Sequence, residues 1–415
     1  MNAHAEAMGA DPSGHCPIMP NYGRPVVTFV RGSGTELFDS DGGRYLDFLG
    51  GLAVTSLGHS HPRVATALAE QAATLLHVSN LFATVPQIEV AARLDALIRS
   101  GTGEEEPGQV LFQNSGAEAN EAAIKLARRH QGRGRHGVLS AFRSFHGRTL
   151  ATLAATGQPE KHEPFQPLPE GFRHAAWNDL GAFEAAIDPS VGTILLEPLQ
   201  GESGVNPADA EFFAGIRRLC DERGILLVID EVQTGLARTG RWFGFHHHGI
   251  RADIVTVAKA LGNGVPIGAV WAPTGVASAF RPGDHGSTFG GQPLAAAAAR
   301  EVLRVMDEID APSLAVDRGA ELTELLGALP GVTEVRGLGL LLAAELDEAA
   351  LAGRTAGEVA LACLHAGLVV NGVTPTSLRF APPLTVTSAE LAEGVEILAG
   401  VLDTAQTTDE AEVGP

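Results

Sequence analysis

Through the middle of the chain, short apolar runs alternate with longer stretches whose apolar residues recur every three or four positions. The runs Gln109–Gln113, Val138–Phe142, Thr193–Leu196, Ile225–Ile229, Ile254–Val257 and Ile267–Trp271 predict strands. The stretches Gly116–His130 and Asp209–Arg223 predict helices. Strands separated by helices imply an α/β layer, a mostly parallel sheet covered on both faces. Ligands of such sheets bind beyond the carboxyl ends of the strands, and most of the unusual motifs here fall there.

The two ends read differently. Residues 21–48 suggest short strands with a turn at Asp41-Gly42-Gly43. Residues 312–402 mix helices (Thr355–Ala366, Ser388–Leu402) with strands near Val332–Arg336, Leu338–Ala344 and Ser377–Phe380. Thr355 and Glu358 are spaced as a capping box at the start of the first helix. The expected organisation is a loose arm over residues 1–20, a large domain over 76–310, a smaller α+β domain built from 21–75 and 311–405, and an acidic tail over 406–415. Two or three units suit 415 residues.

Composition narrows the function. The net charge is −20, which argues against a nucleic-acid partner, because phosphate contacts need Lys/Arg patches. No run approaches the ~20 apolar residues of a membrane helix, and the N-terminus lacks the basic start and apolar stretch of a secretory signal. Cys16, Cys220 and Cys363 form neither a disulfide framework nor a zinc spacing, so reduced thiols and a cytoplasmic location are expected.

Five motifs offer chemistry. Asn114-Ser115-Gly116-Ala117-Glu118 joins a strand to a helix, whose N-terminus could take a phosphate; Ser115 and Glu118 could equally form a capping box. An apolar strand ends in Asp230-Glu231, where Asp230 could pair with a protonated nitrogen or merely cap a helix. Lys259 directly follows another apolar strand, where partial desolvation would favour a neutral, nucleophilic amine. Phe145-His146-Gly147-Arg148-Thr149 supplies a ring and a guanidinium, and His285-Gly286-Ser287-Thr288-Phe289 two hydroxyls in a glycine-rich loop. Together, a phosphate cup, a strand-end Asp, a strand-end Lys and hydroxyl loops match the phosphate, pyridine nitrogen and aldehyde of pyridoxal 5′-phosphate (PLP).

The motifs NSGAEANEAAIKLAR, FHGRT, EPLQGE, DEVQTG, AKALGNG, HGSTFGG and RFAPPL, in that order, resemble those of class-III aminotransferases of PLP fold type I. The likeness spans about Tyr22 to Leu402 and is nearest to the branch that transaminates the terminal amine of N-acetylornithine in arginine biosynthesis. It implies that Lys259 forms the Schiff base, Asp230 partners the pyridine nitrogen, and Gln233 neighbours the phenolic oxygen. It assigns Ser115, Gly116 and Ala117 to the phosphate, Phe145 and Val232 to the ring, and Thr288 to the phosphate of the other subunit in a homodimer with shared sites. Tyr22, Arg148, Glu202, Ser287 and Arg379 become substrate contacts, with Arg379 gripping the α-carboxylate of glutamate or 2-oxoglutarate and Glu202 pairing with it otherwise. Related enzymes acting on succinylornithine, ornithine, 4-aminobutyrate or an aminoadipate-semialdehyde derivative are the alternatives. Leu52 stands where ornithine-specific relatives carry tyrosine, which favours an acylated donor.

Ser203, Ala237 and Gln292 depart from the family pattern near the expected site. His246-His247-His248 invites a metal, but consecutive side chains do not share a face, so no metal is expected.

Overall fold

The computed structural model describes residues 18–23 and 25–412. The predicted arm therefore lies almost wholly outside the described residues, as do Cys16 and the last three positions.

Three short strands come first: β1 (Phe29–Ser33), β2 (Glu36–Asp39) and β3 (Arg44–Asp47). Then follow β4 (Gly108–Gln113), β5 (Gly137–Ala141), β6 (Phe172–Ala175) and β7 (Val191–Leu196). A ribbon of β8 (Leu199–Gln200) and β9 (Asn206–Pro207) precedes β10 (Leu226–Asp230), β11 (Ile254–Val257) and β12 (Gly268–Pro273). The C-terminal part adds β13 (Val332–Leu338), β14 (Leu341–Leu346), β15 (Leu368–Val369), β16 (Asn371–Gly372) and β17 (Ser377–Phe380).

The central sheet has the order β4-β12-β11-β10-β7-β5-β6. It is parallel except for β12, which runs antiparallel to both neighbours. β5, β7, β10, β11 and β12 are buried along their whole length, as strands covered on both faces must be, and so they read as continuous apolar runs. The Gly116–Gln131 helix lays Ala119, Ala122, Ala123, Ile124, Leu126 and Ala127 against this sheet; small alanines let helix and sheet approach closely. The alanine run at 295–299 is likewise fully buried, inside the Pro293–Glu308 helix.

The chain ends meet: β15 joins the N-terminal sheet beside β3, in the order β1-β2-β3-β15. A separate antiparallel sheet, β13-β14-β17-β16, carries Arg379. The Thr355–Glu358 capping box is reciprocal, with both side chain-to-backbone bonds made.

Three details correct the sequence reading. β6 went unpredicted because Phe-Arg-His-Ala is an edge strand with no apolar run. β14 begins at Leu341 rather than Leu338, since Gly337 and Gly339 take positive φ and turn the chain there. The final helix does not stop at Leu402 but runs Ser388–Glu412, into the acidic segment expected to fray.

Candidate active site

β7, β10 and β11 are adjacent and parallel, so their carboxyl ends open on one side of the sheet. Each ends beside a charged residue: Glu197 follows β7, Asp230 closes β10, and Lys259 lies two residues past β11. All three line one cavity of about 390 Å³, along with Gly116, Phe145, Arg148, Glu202, Val232 and Gln233. A volume of that size suits a small cofactor with its substrate.

Asp230 is held tightly. Oδ2 accepts from Asn120 Nδ2 at 2.7 Å and lies 2.8 Å from His146 Nδ1, while Oδ1 accepts from the Val232 N–H at 3.0 Å. Asn120 is fixed in turn by the Thr256 hydroxyl at 2.8 Å. The neighbouring Glu231 turns the other way, into the core, where it accepts from the Thr234 hydroxyl and the Gly244 and Phe245 N–H groups. Of the two strand-end carboxylates, only Asp230 faces the cavity.

Lys259 sits at φ 44°, a left-handed conformation that costs a non-glycine residue about 1–2 kcal/mol. Burial pushes its ammonium pKa down, against the attraction of Glu202. Asn263, in the turn that follows, accepts from the Leu57 N–H and donates to Gly58 O, tying the lysine loop to the N-terminal segment. That segment is itself strained: Gly50, Gly51, Leu52 and Ala53 all have positive φ, just before the cavity-lining Val54.

At the helix N-terminus, Ser115 Oγ accepts from the Glu118 N–H at 3.2 Å. The expected box is not reciprocal, because the Glu118 carboxylate accepts from Asn114 N–H and Nδ2 instead of returning to Ser115. A Cβ on Gly116 would lie 2.7 Å from Val232 Cγ1, so glycine is required for this turn to meet the Val232 side chain. A Cβ on Gly201 would fall 1.6 Å from Gln233 Oε1, so a side chain there would push the end of Gln233 aside. Gln233 Nε2 is buried and has no partner.

Arg379, 1% exposed, donates to Glu202 Oε1 at 2.8 Å, Gly201 O at 3.0 Å and Asn371 Oδ1 at 3.2 Å, leaving Nη2 buried and unpartnered. Burial opposes the charge of Glu202, but the Arg379 guanidinium outweighs it and holds the carboxyl below the usual range. The Phe145 N–H donates to Glu197 Oε2 at 3.1 Å. Burial, reinforced by Asp230, raises the Glu197 pKa well above the ordinary value.

Not every predicted residue reaches this cavity. Ser287 lies behind it, accepting from Asn114 Nδ2 at 3.1 Å. Thr288 lines a separate small cavity with Phe82 and Gly290. Tyr22 is 95% exposed and does not line the cavity of its own chain. Among the departures, Ala237 adopts φ 71°, Gln292 caps the Pro293–Glu308 helix through the Leu294 N–H, and Ser203 donates to Gln200. The three histidines diverge: His246 bonds to Ile98 O, His247 to Thr239 O, and His248 stacks on Phe213.

Asn120, His146 and Glu197 received no role from the sequence. Glu197 carried a usable signal, since TILLE ends an apolar run on a carboxylate as VID does. Asn120 and His146 carried none, because their partner Asp230 lies 110 and 84 residues away.

The sequence profile of the family described as aminotransferase class-III matches residues 18–402. The acetylornithine aminotransferase of Corynebacterium efficiens is 46% identical over 395 residues, covering 93% of this chain and 94% of its own. An ornithine aminotransferase structure from Toxoplasma gondii, described with partial occupancy of PLP at its active site, superimposes with a TM-score of 0.87 at 32% identity, covering 95% and 93% of the two chains. The N-acetylornithine aminotransferase structure from Stenotrophomonas maltophilia gives a TM-score of 0.80 at 34% identity, covering 94% and 99%.

Proposed function

The chain belongs to the class-III aminotransferases, and on that premise we propose that it moves the terminal amino group of N-acetylornithine to 2-oxoglutarate, using PLP held in the cavity around Lys259. The observation that carries this reading is the convergence of Lys259, Asp230 and the N-terminus of the Gly116–Gln131 helix on one cavity.

The residues present fit the cofactor. The free N–H groups of Gly116 and Ala117 suit its phosphate. Gln233 Nε2, buried and orphaned, suits a phenolic oxygen. Val232 and Phe145 offer apolar surfaces to a ring, and the buried Asp230 carboxylate suits a protonated ring nitrogen. When bound, PLP supplies an aldehyde that condenses with amines and a ring that accepts electrons from the adjacent carbon.

The chain's own groups do the rest. Lys259, with its lowered pKa, yields a free amine more readily than a surface lysine, and that amine can take the proton from the donor's reacting carbon and return it. Glu202 neutralises Arg379 while the terminal-amine donor is bound, because that donor has no carboxylate at its reacting carbon. 2-Oxoglutarate brings its own carboxylate, which displaces Glu202 and takes the bidentate face of Arg379. Alternating occupants of one site imply ping-pong kinetics.

The reading includes a homodimer. Leu81 (86% exposed), Phe82, Val85, Ile88 and Phe289 form an exposed apolar surface around the Thr288 loop, and Phe82 and Thr288 line the same small cavity. A second copy covering this surface would bring Thr288 to its partner's phosphate. A cytoplasmic location agrees with the free, buried Cys220 and Cys363.

Mixing the PLP-loaded enzyme with N-acetylornithine alone tests the donor. The absorption of the lysine-bound cofactor should convert to that of the amine form, and 2-oxoglutarate should reverse it. No conversion overturns the donor assignment. Lys259→Ala should show neither the lysine-bound spectrum nor turnover.

A further inference from the structure

Two cations share the ring of Phe145 at the edge of the cavity. The Arg148 guanidinium carbon lies 5.6 Å from the ring centroid and Lys161 Nζ lies 5.7 Å from it. They come from separate segments: Arg148 from the loop after β5, Lys161 from the short Pro159–His162 helix. Among the described residues, neither has a carboxylate within ion-pairing distance. Lys161 donates to the neutral side-chain oxygen of Gln158, and Arg148 has only the ring.

Unpaired like charges held near one ring repel each other, and Lys161 registers this: burial lowers its pKa first, and the Arg148 charge lowers it further, against Glu202 and Glu160. A positive pair without a carboxylate partner beside the site gives a local field that draws an anion there. Arg148 lines the cavity that holds Lys259. Both proposed substrates are long enough to carry a carboxylate away from their reacting carbon.

We propose that Lys161 is a specificity-determining residue, the second cation of an anion subsite that, with Arg148, holds the carboxylate distal to the reacting carbon. This rests on reading the cavity as an aminotransferase site. Phe145 serves both cations as a common platform, since a ring face attracts a cation without neutralising it.

The test compares paired substrates on the PLP-loaded enzyme, its Lys161→Gln variant and its Lys161→Arg variant. N-acetylornithine is set against N-acetylputrescine, which has the same reacting amine and no carboxylate, through KM or, where turnover is slow, the inhibition constant. Lys161→Gln should weaken N-acetylornithine roughly tenfold, the size of one lost charge-assisted contact. It should leave N-acetylputrescine within about twofold, and Lys161→Arg should restore the loss. The preference for N-acetylornithine over N-acetylputrescine should fall in the wild type as pH rises and Lys161 loses its proton, but stay flat in Lys161→Arg. An equal loss for both compounds would mean that Lys161 only props the Phe145 ring, and no loss for either would mean that it touches nothing; each overturns the proposal. If the wild type converts glutamate but not N-acetylornithine, the donor reading fails, and the same comparison runs on glutamate against 2-aminobutyrate, which lacks only the distal carboxylate. A loss confined to glutamate then upholds the role of Lys161, and an equal or absent loss overturns it.

Discussion

At the floor of the cavity both oxygens of Asp230 are occupied, by Asn120, His146 and the Val232 N–H. At its edge, the Arg148 guanidinium has a single aromatic ring among the described residues. The floor is built from strand ends, with Asp230 locked by its partners, and the edge from loops, a four-residue helix and the positive-φ run Gly50, Gly51, Leu52 and Ala53. A rigid floor suits the step common to all donors, in which charge and proton positions must be set in advance. A sparsely bonded edge suits the choice among donors, because its groups find their partners only when a substrate supplies them.

The comparison breaks most visibly at Asp230. Asp230→Asn keeps the size of the side chain and removes its charge. Turnover should fall on the order of 10³-fold, the scale of losing a preorganised electrostatic group, for N-acetylornithine and glutamate alike. Uniform loss is the signature of a floor residue. A variant retaining nearly wild-type kcat with every donor would show that the floor charge is not used.

This division also explains what could be read from the sequence. Strand-end residues were legible because an apolar run ending in a charged side chain is a local pattern; Asp230 and Lys259 stood out that way, and β11 was placed to the residue. The support of Asp230 was not, since Asn120 and His146 join it only through the fold. The antiparallel course of β12 was equally hidden, because residue periodicity is the same in both directions. Glu202 and Arg379, 177 residues apart, were paired through family resemblance and do meet, at 2.8 Å. Tyr22 and Thr288 came from the same resemblance but lie outside the cavity that holds Lys259.

Glu202 lies between the two regions, and its removal should have a smaller and unequal effect. In Glu202→Gln the guanidinium of Arg379 loses its anion whenever the donor brings no carboxylate to the reacting carbon. N-acetylornithine should weaken while glutamate gains or holds, so the ratio of their kcat/KM values should shift roughly tenfold toward glutamate. Equal kcat/KM changes for both donors would move Glu202 to the floor.

Glu197 offers the finest cut, because it belongs to the floor by position yet, among the described residues, accepts from a single donor, the Phe145 N–H. Burial and then the adjacent Asp230 raise its pKa well above 4.5, so the folded protein keeps a proton that the unfolded chain has released. The sign follows from proton linkage: where the folded state binds more protons, stability falls as pH rises, here from about 4.5 up to the raised folded value. Glu197→Gln mimics the protonated acid, can still accept from Phe145, and has no proton to lose. At low pH its Tm should match the wild type, and its advantage should grow as pH rises above 4.5, with kcat near neutrality within about twofold of wild type. An unfavourable Tm difference that widens with pH would show that Glu197 is charged in the folded protein, and a large fall in kcat at every pH would make its carboxyl part of the chemistry itself, beyond holding Phe145.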